Sequence, residues 1–130
     1  MMAKLRYLRM SPRKVRLVSD LVRGMDVEHA KRQLQFSPRR AAPAVHKLLN
    51  TAIANAKHNF SKSEESLYIK KIVVDQGPTY KRFRPTGRGF VSPLKKRTSH
   101  VTIILDERVE EKTVEKPKKK EKAKTNSADK

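Results

Sequence analysis

The sequence contains no cysteine, only seven aromatic residues and no long apolar run among its 130 residues. Without cysteine the chain can form neither a disulfide nor a thiol nucleophile nor a cysteine-containing zinc site. No run of about 18 apolar residues occurs, so we expect no membrane-spanning helix. No apolar stretch near the first methionine suits a secretory signal. The length and the 36% of hydrophobic residues predict one domain with a modest core.

Acidic residues are scarce in the first 105 positions, which hold six Asp or Glu against 23 Lys or Arg, a net charge of +17. Residues 106–130 hold nine basic and seven acidic residues, so their net charge is only +2. Self-repulsion of this size disfavours a compact free monomer, and a bound polyanion relieves it. Because the excess lies in the body of the chain, we expect the folded part itself to face nucleic acid.

Apolar residues at three- and four-residue spacing predict three helices. Ser11-Pro12 is typical of a helix start, so the first helix is expected over residues 12–23. Asp26 is expected to cap a short second helix, and Ser37-Pro38 to start a long third one that ends near Asn59. The stripes predicted to form the core are Val15, Val18, Leu21 and Val22, then Val27, Ala30 and Leu34, then Ala41, Val45, Leu48, Leu49, Ala52, Ile53 and Ala56.

Three segments have strand character. Residues 4–9 alternate roughly and predict an edge strand or an extended arm. Residues 67–75 and 100–105 are rich in Ile and Val and predict two further strands. Residues 108–130, in which apolar residues thin out to isolated Val and Ala, predict a disordered charged tail. Residues 1–107 are therefore expected to form a single RNA-binding domain.

The segment between the last two strands, residues 77–99, combines cations with aromatic residues and contains no acid. A loop of this length without structure is improbable in a compact domain. We therefore predict a long projecting hairpin, the arm (residues 77–98), with its turn near Gly87 and Gly89. The seven cations are Lys81, Arg82, Arg84, Arg88, Lys95, Lys96 and Arg97, and the aromatic residues are Tyr80, Phe83 and Phe90.

Such an arm has little to bury when free in water, because an isolated two-stranded ribbon is marginally stable. Phosphates would offset its charge, and unpaired bases could stack on its aromatic rings. We therefore interpret it as an arm inserted into folded RNA. The alternative that composition leaves open is a mobile, solvated basic loop.

Motifs for other functions do not fit. Residues 88–91 match only the start of the aromatic motif of RNA-recognition domains, and residues 87–89 lack the spacing of a phosphate-binding loop. The four histidines are scattered, and the six acids of the body are too few and too dispersed for two-metal chemistry. We expect no enzyme activity, no metal and no cofactor.

At the strand–arm–strand segment the sequence resembles ribosomal protein twenty-two of the large subunit, and the resemblance covers about residues 4–107. The residues that carry it in the second half are Val73-Val74-Asp75-Gln76-Gly77-Pro78, Lys81-Arg82, Pro85, Gly87-Arg88-Gly89 and Lys96-Arg97-Thr98-Ser99-His100-Val101-Thr102. Those in the first half are Ser11-Pro12-Arg13-Lys14-Val15-Arg16-Leu17-Val18, Arg23-Gly24, Ala41-Ala42, Lys47 and Ala52-Ile53-Ala54-Asn55-Ala56.

The resemblance implies an α/β fold of the α+β type, in which a small antiparallel sheet packs with three helices and a long β-hairpin projects. It implies a structural constituent of the large ribosomal subunit that binds ribosomal RNA, supports subunit assembly and lines the polypeptide exit tunnel with its hairpin. The implied partners are large-subunit ribosomal RNA, neighbouring ribosomal proteins and the nascent polypeptide, with no membrane.

The predicted RNA contacts are ten cations: Arg13, Lys14, Arg16, Lys81, Arg82, Arg84, Arg88, Lys95, Lys96 and Arg97. The predicted tip of the arm in the tunnel comprises Phe83, Arg84, Pro85, Gly87, Arg88, Gly89 and Phe90. A nonspecific basic nucleic-acid chaperone is the rival function, since it needs the same charge but no unique partner. A protein that binds acidic membrane surfaces is a third class, but no predicted helix has the large aromatic face this needs.

The expected location is a cytoplasmic ribosome of bacterial type. An organellar ribosome stays open, because the basic, acid-poor first 19 residues are also typical of a transit peptide. The ordered helix signal at Ser11-Pro12 favours a folded segment instead.

Overall fold

The computed structural model describes residues 1–108, in which three helices pack on one antiparallel sheet. The α+β arrangement with a long hairpin is thereby confirmed. The strands are β1 (Met2–Leu8), β2 (Leu67–Pro85) and β3 (Val91–Glu107), and the helices are α1 (Pro12–Val22), α2 (Val27–Gln35) and α3 (Ala42–Phe60).

The sheet has the order β1-β3-β2, so β3 is central and β1 is an edge strand. β1 pairs antiparallel with β3 from Met2 opposite Ile104 to Leu8 opposite Ser99. This pairing decides between the two interpretations of residues 4–9 in favour of the edge strand. Tyr7, which lies where the register shifts, takes a left-handed backbone conformation with φ of 57°.

The core lies between the sheet and the buried faces of the helices, and it contains nearly every predicted core residue. Leu21 is the exception, with 39% of its surface exposed. At 3.6 residues per turn, position 21 lies about a quarter turn away from the stripe that Val15, Val18 and Val22 share. Ser19 takes the buried place instead, and its hydroxyl donates a hydrogen bond to the carbonyl of Val15 at 3.1 Å.

The long helix begins at Ala42, so the predicted start at Ser37-Pro38 is wrong. Pro43 explains the difference, because it has no N–H for the carbonyl four residues earlier and would clash with that carbonyl inside a helix. A start at Ala42 places Pro43 in the first turn of the helix, where a backbone N–H is not needed for a hydrogen bond within the helix. The helix ends at Phe60, next to the predicted end at Asn59.

Both long strands continue beyond the sheet into the arm, so they are longer than the sequence predicts. Their pairing runs from Leu67 opposite Glu107 to Pro85 opposite Val91. The nine residues from Gly77 to Pro85 span roughly 30 Å at the rise of an extended strand. The predicted projecting hairpin is therefore present, and its residues 81–97 are all exposed.

Arg108 is the last described residue and contacts the body. Its backbone N–H donates to the carbonyl of Ser66 at 2.9 Å, and its guanidinium pairs with the carboxylate of Asp26 at 2.8 Å. The predicted tail beyond Arg108 lies outside the described residues. Within residues 1–108, no helix combines the length and the apolar character needed to cross a membrane.

Candidate nucleic-acid interface

The two faces of the arm are both basic. Residues that pair directly across an antiparallel ladder point to the same side, and neighbours along a strand point to opposite sides. The pair Tyr80 and Lys96 shares a face with Arg82, whereas Lys81 and Lys95 share the other. A ribbon with cations on both faces suits an environment that is anionic on both sides, such as a crevice in folded RNA.

Like charges lie directly opposite one another in the arm, because Lys81 pairs with Lys95. Such a pair destabilises a ladder. No carboxylate lies within residues 77–98 to compensate it. The arm therefore contains no anionic side chain of its own to offset this repulsion.

Aromatic and cationic side chains are stacked on one face of the arm. The guanidinium carbon of Arg82 lies 6.0 Å from the ring centroid of Tyr80, at the outer limit of a cation–π contact. Tyr80 keeps 47% of its surface exposed. Both groups therefore present flat surfaces on which an unpaired base can stack.

The tip of the arm forms a hydrogen-bonded turn. The N–H and the hydroxyl of Thr86 both donate to the carbonyl of Phe90, each at 2.8 Å. Arg88 and Gly89 adopt positive φ angles of 62° and 76°. Phe83 and Phe90 flank this turn with 76% and 72% of their surfaces exposed. All the predicted tip residues are thus exposed at the far end of the hairpin.

A cleft of about 750 Å³ lies where the arm joins the body, and we call it the root cleft. Its lining holds six Lys or Arg and no Asp or Glu. Four of the predicted contacts, Lys14, Lys95, Lys96 and Arg97, come together here. The complete lining is Arg9, Met10, Ser11, Lys14, Arg40, Tyr80, Lys95, Lys96, Arg97 and Thr98.

The start of α1 adds to the positive potential of the root cleft. Ser11 is the N-cap residue and lines the cleft, and its side chain makes no capping hydrogen bond. The first turn of α1 contains no acid. The positive end of the helix dipole therefore acts together with Lys14.

Hydrogen bonds link the base of the arm to the segment before α1 and tie its two strands together. The hydroxyl of Ser99, a fully buried residue, donates to the carbonyl of Met10 at 3.1 Å. The hydroxyl of Thr98 donates to the carbonyl of Pro78 at 2.7 Å. The root cleft is therefore bounded by segments that hydrogen bonds hold together.

The three predicted contacts on α1 do not act as one cluster. Lys14 lines the root cleft, and Arg13 is exposed. Arg16 lies elsewhere, because its guanidinium donates through Nε and Nη2 to the carbonyl of Val74 at 3.3 and 3.1 Å. This side chain links α1 to β2, and any contact with RNA has to leave that link in place or replace it.

Arg9 and Arg40 were missed by the sequence analysis. Arg9 follows β1 directly, and Arg40 lies in the turn before α3. The Ser37-Pro38 start predicts a helix at Arg40, so the sequence offers no reason to place Arg40 beside the arm. Its neighbour Arg39 lines a different groove. Among residues 1–108, no group of three or more His, Asp or Glu side chains is placed to hold a metal ion.

Comparison with known proteins identifies the family. The family model for ribosomal protein L22p/L17e matches residues 3–106. The chain belongs to the ribosomal protein L22p/L17e family. This confirms the resemblance stated from the sequence.

Curated relatives agree with the family model over most of both chains. The large ribosomal subunit protein uL22 of Lacticaseibacillus casei is 48% identical over 106 residues, which cover 82% of this chain and 91% of that relative. The protein of the same name from Lactobacillus gasseri is 49% identical over the same shares. The uL22 protein of Desulfitobacterium hafniense is 49% identical over 105 residues, covering 81% of this chain and 92% of its own length.

Proposed function

We propose that this chain is a structural constituent of the large subunit of a bacterial ribosome, where it binds ribosomal RNA and supports subunit assembly. Membership in the L22p/L17e family, with relatives named as large-subunit proteins, supports the placement of the chain in the large subunit. The single observation that carries RNA binding is the acid-free arm, which is basic on both faces and joins the body at a basic cleft. The site of action is the ribosome in the cytoplasm.

The domain that carries this function is residues 1–107, with the arm at residues 77–98. In this proposal Lys14, Lys95, Lys96 and Arg97 hold a phosphate segment in the root cleft. The remaining proposed RNA contacts are Arg13, Arg16, Lys81, Arg82, Arg84 and Arg88. Contacts to phosphate position a protein without reading sequence, so specificity comes from the shape of the RNA crevice that admits the arm.

The tip of the arm has a second role in the proposal, as part of the wall of the polypeptide exit tunnel. Exposed rings at Phe83 and Phe90, on either side of a closed turn, provide a surface that a passing nascent chain can touch. Neighbouring ribosomal proteins are the other partners. The function assigned is structural, and no step of catalysis is assigned to any residue.

The experiment that tests the proposal is a salt-wash assay with a matched control. Tagged full-length chain is expressed in bacteria, and its co-sedimentation with large subunits is measured through increasing salt. A triple variant of the root, Lys95→Gln with Lys96→Gln and Arg97→Gln, should be released at lower salt than wild type. The control triple, Lys31→Gln with Lys57→Gln and Lys62→Gln, removes the same charge but lies outside the arm and the root cleft.

The rival function, a nonspecific nucleic-acid chaperone, predicts a different result. Binding that depends only on charge weakens steeply with salt and responds to the number of cations removed. A chaperone would therefore wash off at moderate salt, and both triple variants would weaken it equally. That outcome would reject the proposal.

A further inference from the structure

A second, smaller cleft of about 320 Å³ lies beside the root cleft, and we call it the tyrosine cleft. Two tyrosine side chains line it, Tyr7 from β1 and Tyr80 from β2, and they keep 58% and 47% of their surfaces exposed. The other lining residues are Arg9, Arg82, Lys96 and Thr98. The cleft therefore combines aromatic rings with cations and has no carboxylate, which is typical of sites that bind single-stranded nucleic acid.

Tyr7 is held in its position by His100. The backbone N–H of Tyr7 donates to Nδ1 of His100 at 3.0 Å, and the two ring centroids lie 4.8 Å apart with the rings nearly perpendicular. The φ angle of 57° at Tyr7 is unfavourable for a residue with a Cβ atom. Backbone strain of this kind persists only where the surrounding structure fixes it, and it is concentrated at binding sites. The ring of Tyr7 is therefore positioned before any ligand arrives.

The tyrosine cleft is continuous with the root cleft. Arg9, Tyr80, Lys96 and Thr98 line both. A nucleotide whose phosphate lies in the root cleft can therefore place its base in the tyrosine cleft. The volume is at the lower end of the range for small-molecule sites, which suits one base and is too small for a duplex. Only an unpaired base exposes the flat faces that such a cleft can contact.

We propose that the tyrosine cleft binds one unpaired base of the RNA, which stacks on the rings of Tyr7 and Tyr80. Arg9 and Lys96 hold the adjoining phosphate. The guanidinium of Arg82 donates to the carbonyl of Lys81 at 2.8 Å and adds a further flat cation 6.0 Å from the centroid of Tyr80. The inference rests on the proposed function, because it names a part of the RNA that the root of the arm recognises. Stacking tolerates every base, so the cleft selects an unpaired nucleotide and not a sequence.

The absence of tryptophan allows a direct test, because tyrosine then dominates the fluorescence of the chain. The third tyrosine, Tyr68, lies opposite Asp106 near the start of β2 and lines neither cleft. Full-length chain is titrated with a short single-stranded oligoadenylate and with an abasic oligoribonucleotide that has the same number of phosphates. The oligoadenylate should quench the tyrosine emission and bind about tenfold more tightly than the abasic probe. Equal affinities for the two probes would overturn the proposal.

Matched variants show which rings hold the base. Tyr7→Leu with Tyr80→Leu should abolish the preference for the oligoadenylate, whereas Tyr7→Phe with Tyr80→Phe should keep it, because phenylalanine retains the ring. The control Phe83→Leu with Phe90→Leu removes two exposed rings outside the cleft and should also keep it. Circular dichroism and an unchanged affinity for the abasic probe confirm that each variant is folded. If the preference is lost in the control and kept in the tyrosine-to-leucine variant, the base binds at the tip and the proposal is wrong.

A cross-linking experiment in the assembled particle separates this inference from the proposed function. Photoreactive azidophenylalanine replaces Tyr7 in tagged chain, and large subunits that contain it are purified through a salt wash and irradiated. The chain should cross-link to ribosomal RNA, and the same replacement at Tyr68 should cross-link far less. A chain that co-sediments with large subunits but gives no more cross-link from position 7 than from position 68 would reject the base site and leave the proposed function in place. A chain that does not co-sediment at all would reject the proposed function itself.

Discussion

Gly77 lies so close to Thr98 that a Cβ atom at position 77 would stand 2.5 Å from the hydroxyl oxygen of Thr98. The same atom would lie 3.1 Å from Nε2 of His100. The hydroxyl cannot easily move away, because Thr98 is buried and donates to the carbonyl of Pro78. The contact lies where the register of β2 and β3 shifts, between Gln76 and Thr79, at the base of the arm. Glycine at position 77 thus permits the close approach that fixes the root of the arm.

Gly77→Ala should therefore destabilise the domain. Forcing one methyl group into a well-packed site typically costs about 1–3 kcal/mol, and here the partly buried hydrogen bond from Thr98 to Pro78 must also shift. Urea unfolding of the full-length variant measures the loss.

Gly87→Ala is the matched control, because nothing lies within 4 Å of a Cβ at position 87. Its effect should stay within about 0.5 kcal/mol of zero. Adding Thr98→Ala to Gly77→Ala should recover part of the lost stability, since the obstructing hydroxyl is then absent. Losses that simply add in the double variant would contradict the contact.

Shortening the arm should leave the stability of the body nearly unchanged. Replacing residues 82–94 by Asn-Gly keeps Lys81 opposite Lys95 and closes the ribbon with a favoured two-residue turn. The removed residues are all exposed, so we expect a change in the unfolding free energy of less than about 1 kcal/mol. Binding to large-subunit RNA should weaken at the same time. A large loss of stability would mean that the arm contributes to the core.

The sequence predicted the core and the arm well, because each follows from a local signal. Helical spacing of apolar residues identified the buried faces of α1, α2 and α3, and only Leu21 was misassigned. The arm followed from a segment too long to be an ordered loop, bounded by two strands. The start of α3 was misassigned because Ser37-Pro38 is a valid helix start by itself. Pro43, five residues later, decided against it.

The root cleft could not be predicted in full, because it is assembled from four separate segments. Lys14, Lys95, Lys96 and Arg97 were found through the local density of charge. Arg40 was not, since only the tertiary structure brings the turn before α3 to the base of the arm. Local charge likewise could not show that Arg16 is bound to a carbonyl of β2.

The pair formed by Lys70 and Asp106 should make stability depend on pH at both extremes. The two groups lie 2.6 Å apart. The hydrogen bond from Lys70, with that from the N–H of Glu107, lowers the pKa of Asp106, and the same side-chain bond raises the pKa of Lys70. The carboxylate's contribution is present above its unfolded pKa of about 3.9 and is lost as pH falls through the folded value.

The lysine's contribution is present below its unfolded pKa of about 10.4 and is lost as pH rises through its folded value. Asp106→Asn should thus be less stable than wild type at neutral pH, with the difference vanishing in acid. The effect is small because both groups are exposed. Unfolding curves of both proteins between acid and neutral pH measure it. A difference that persists in strong acid would show that the ion pair is not its cause.

Arg39 and Arg40 are adjacent in sequence but line different concavities, which makes them a matched pair for testing the root cleft. Both are exposed, so neither substitution by Gln should affect folding. If Arg40 contacts a phosphate, Arg40→Gln should weaken binding to large-subunit RNA and reduce the slope of log affinity against log salt by about 0.7–0.9. Arg39→Gln should leave the slope unchanged. Equal slopes for the two variants would mean that the root cleft does not hold a phosphate at Arg40 and that only overall charge matters.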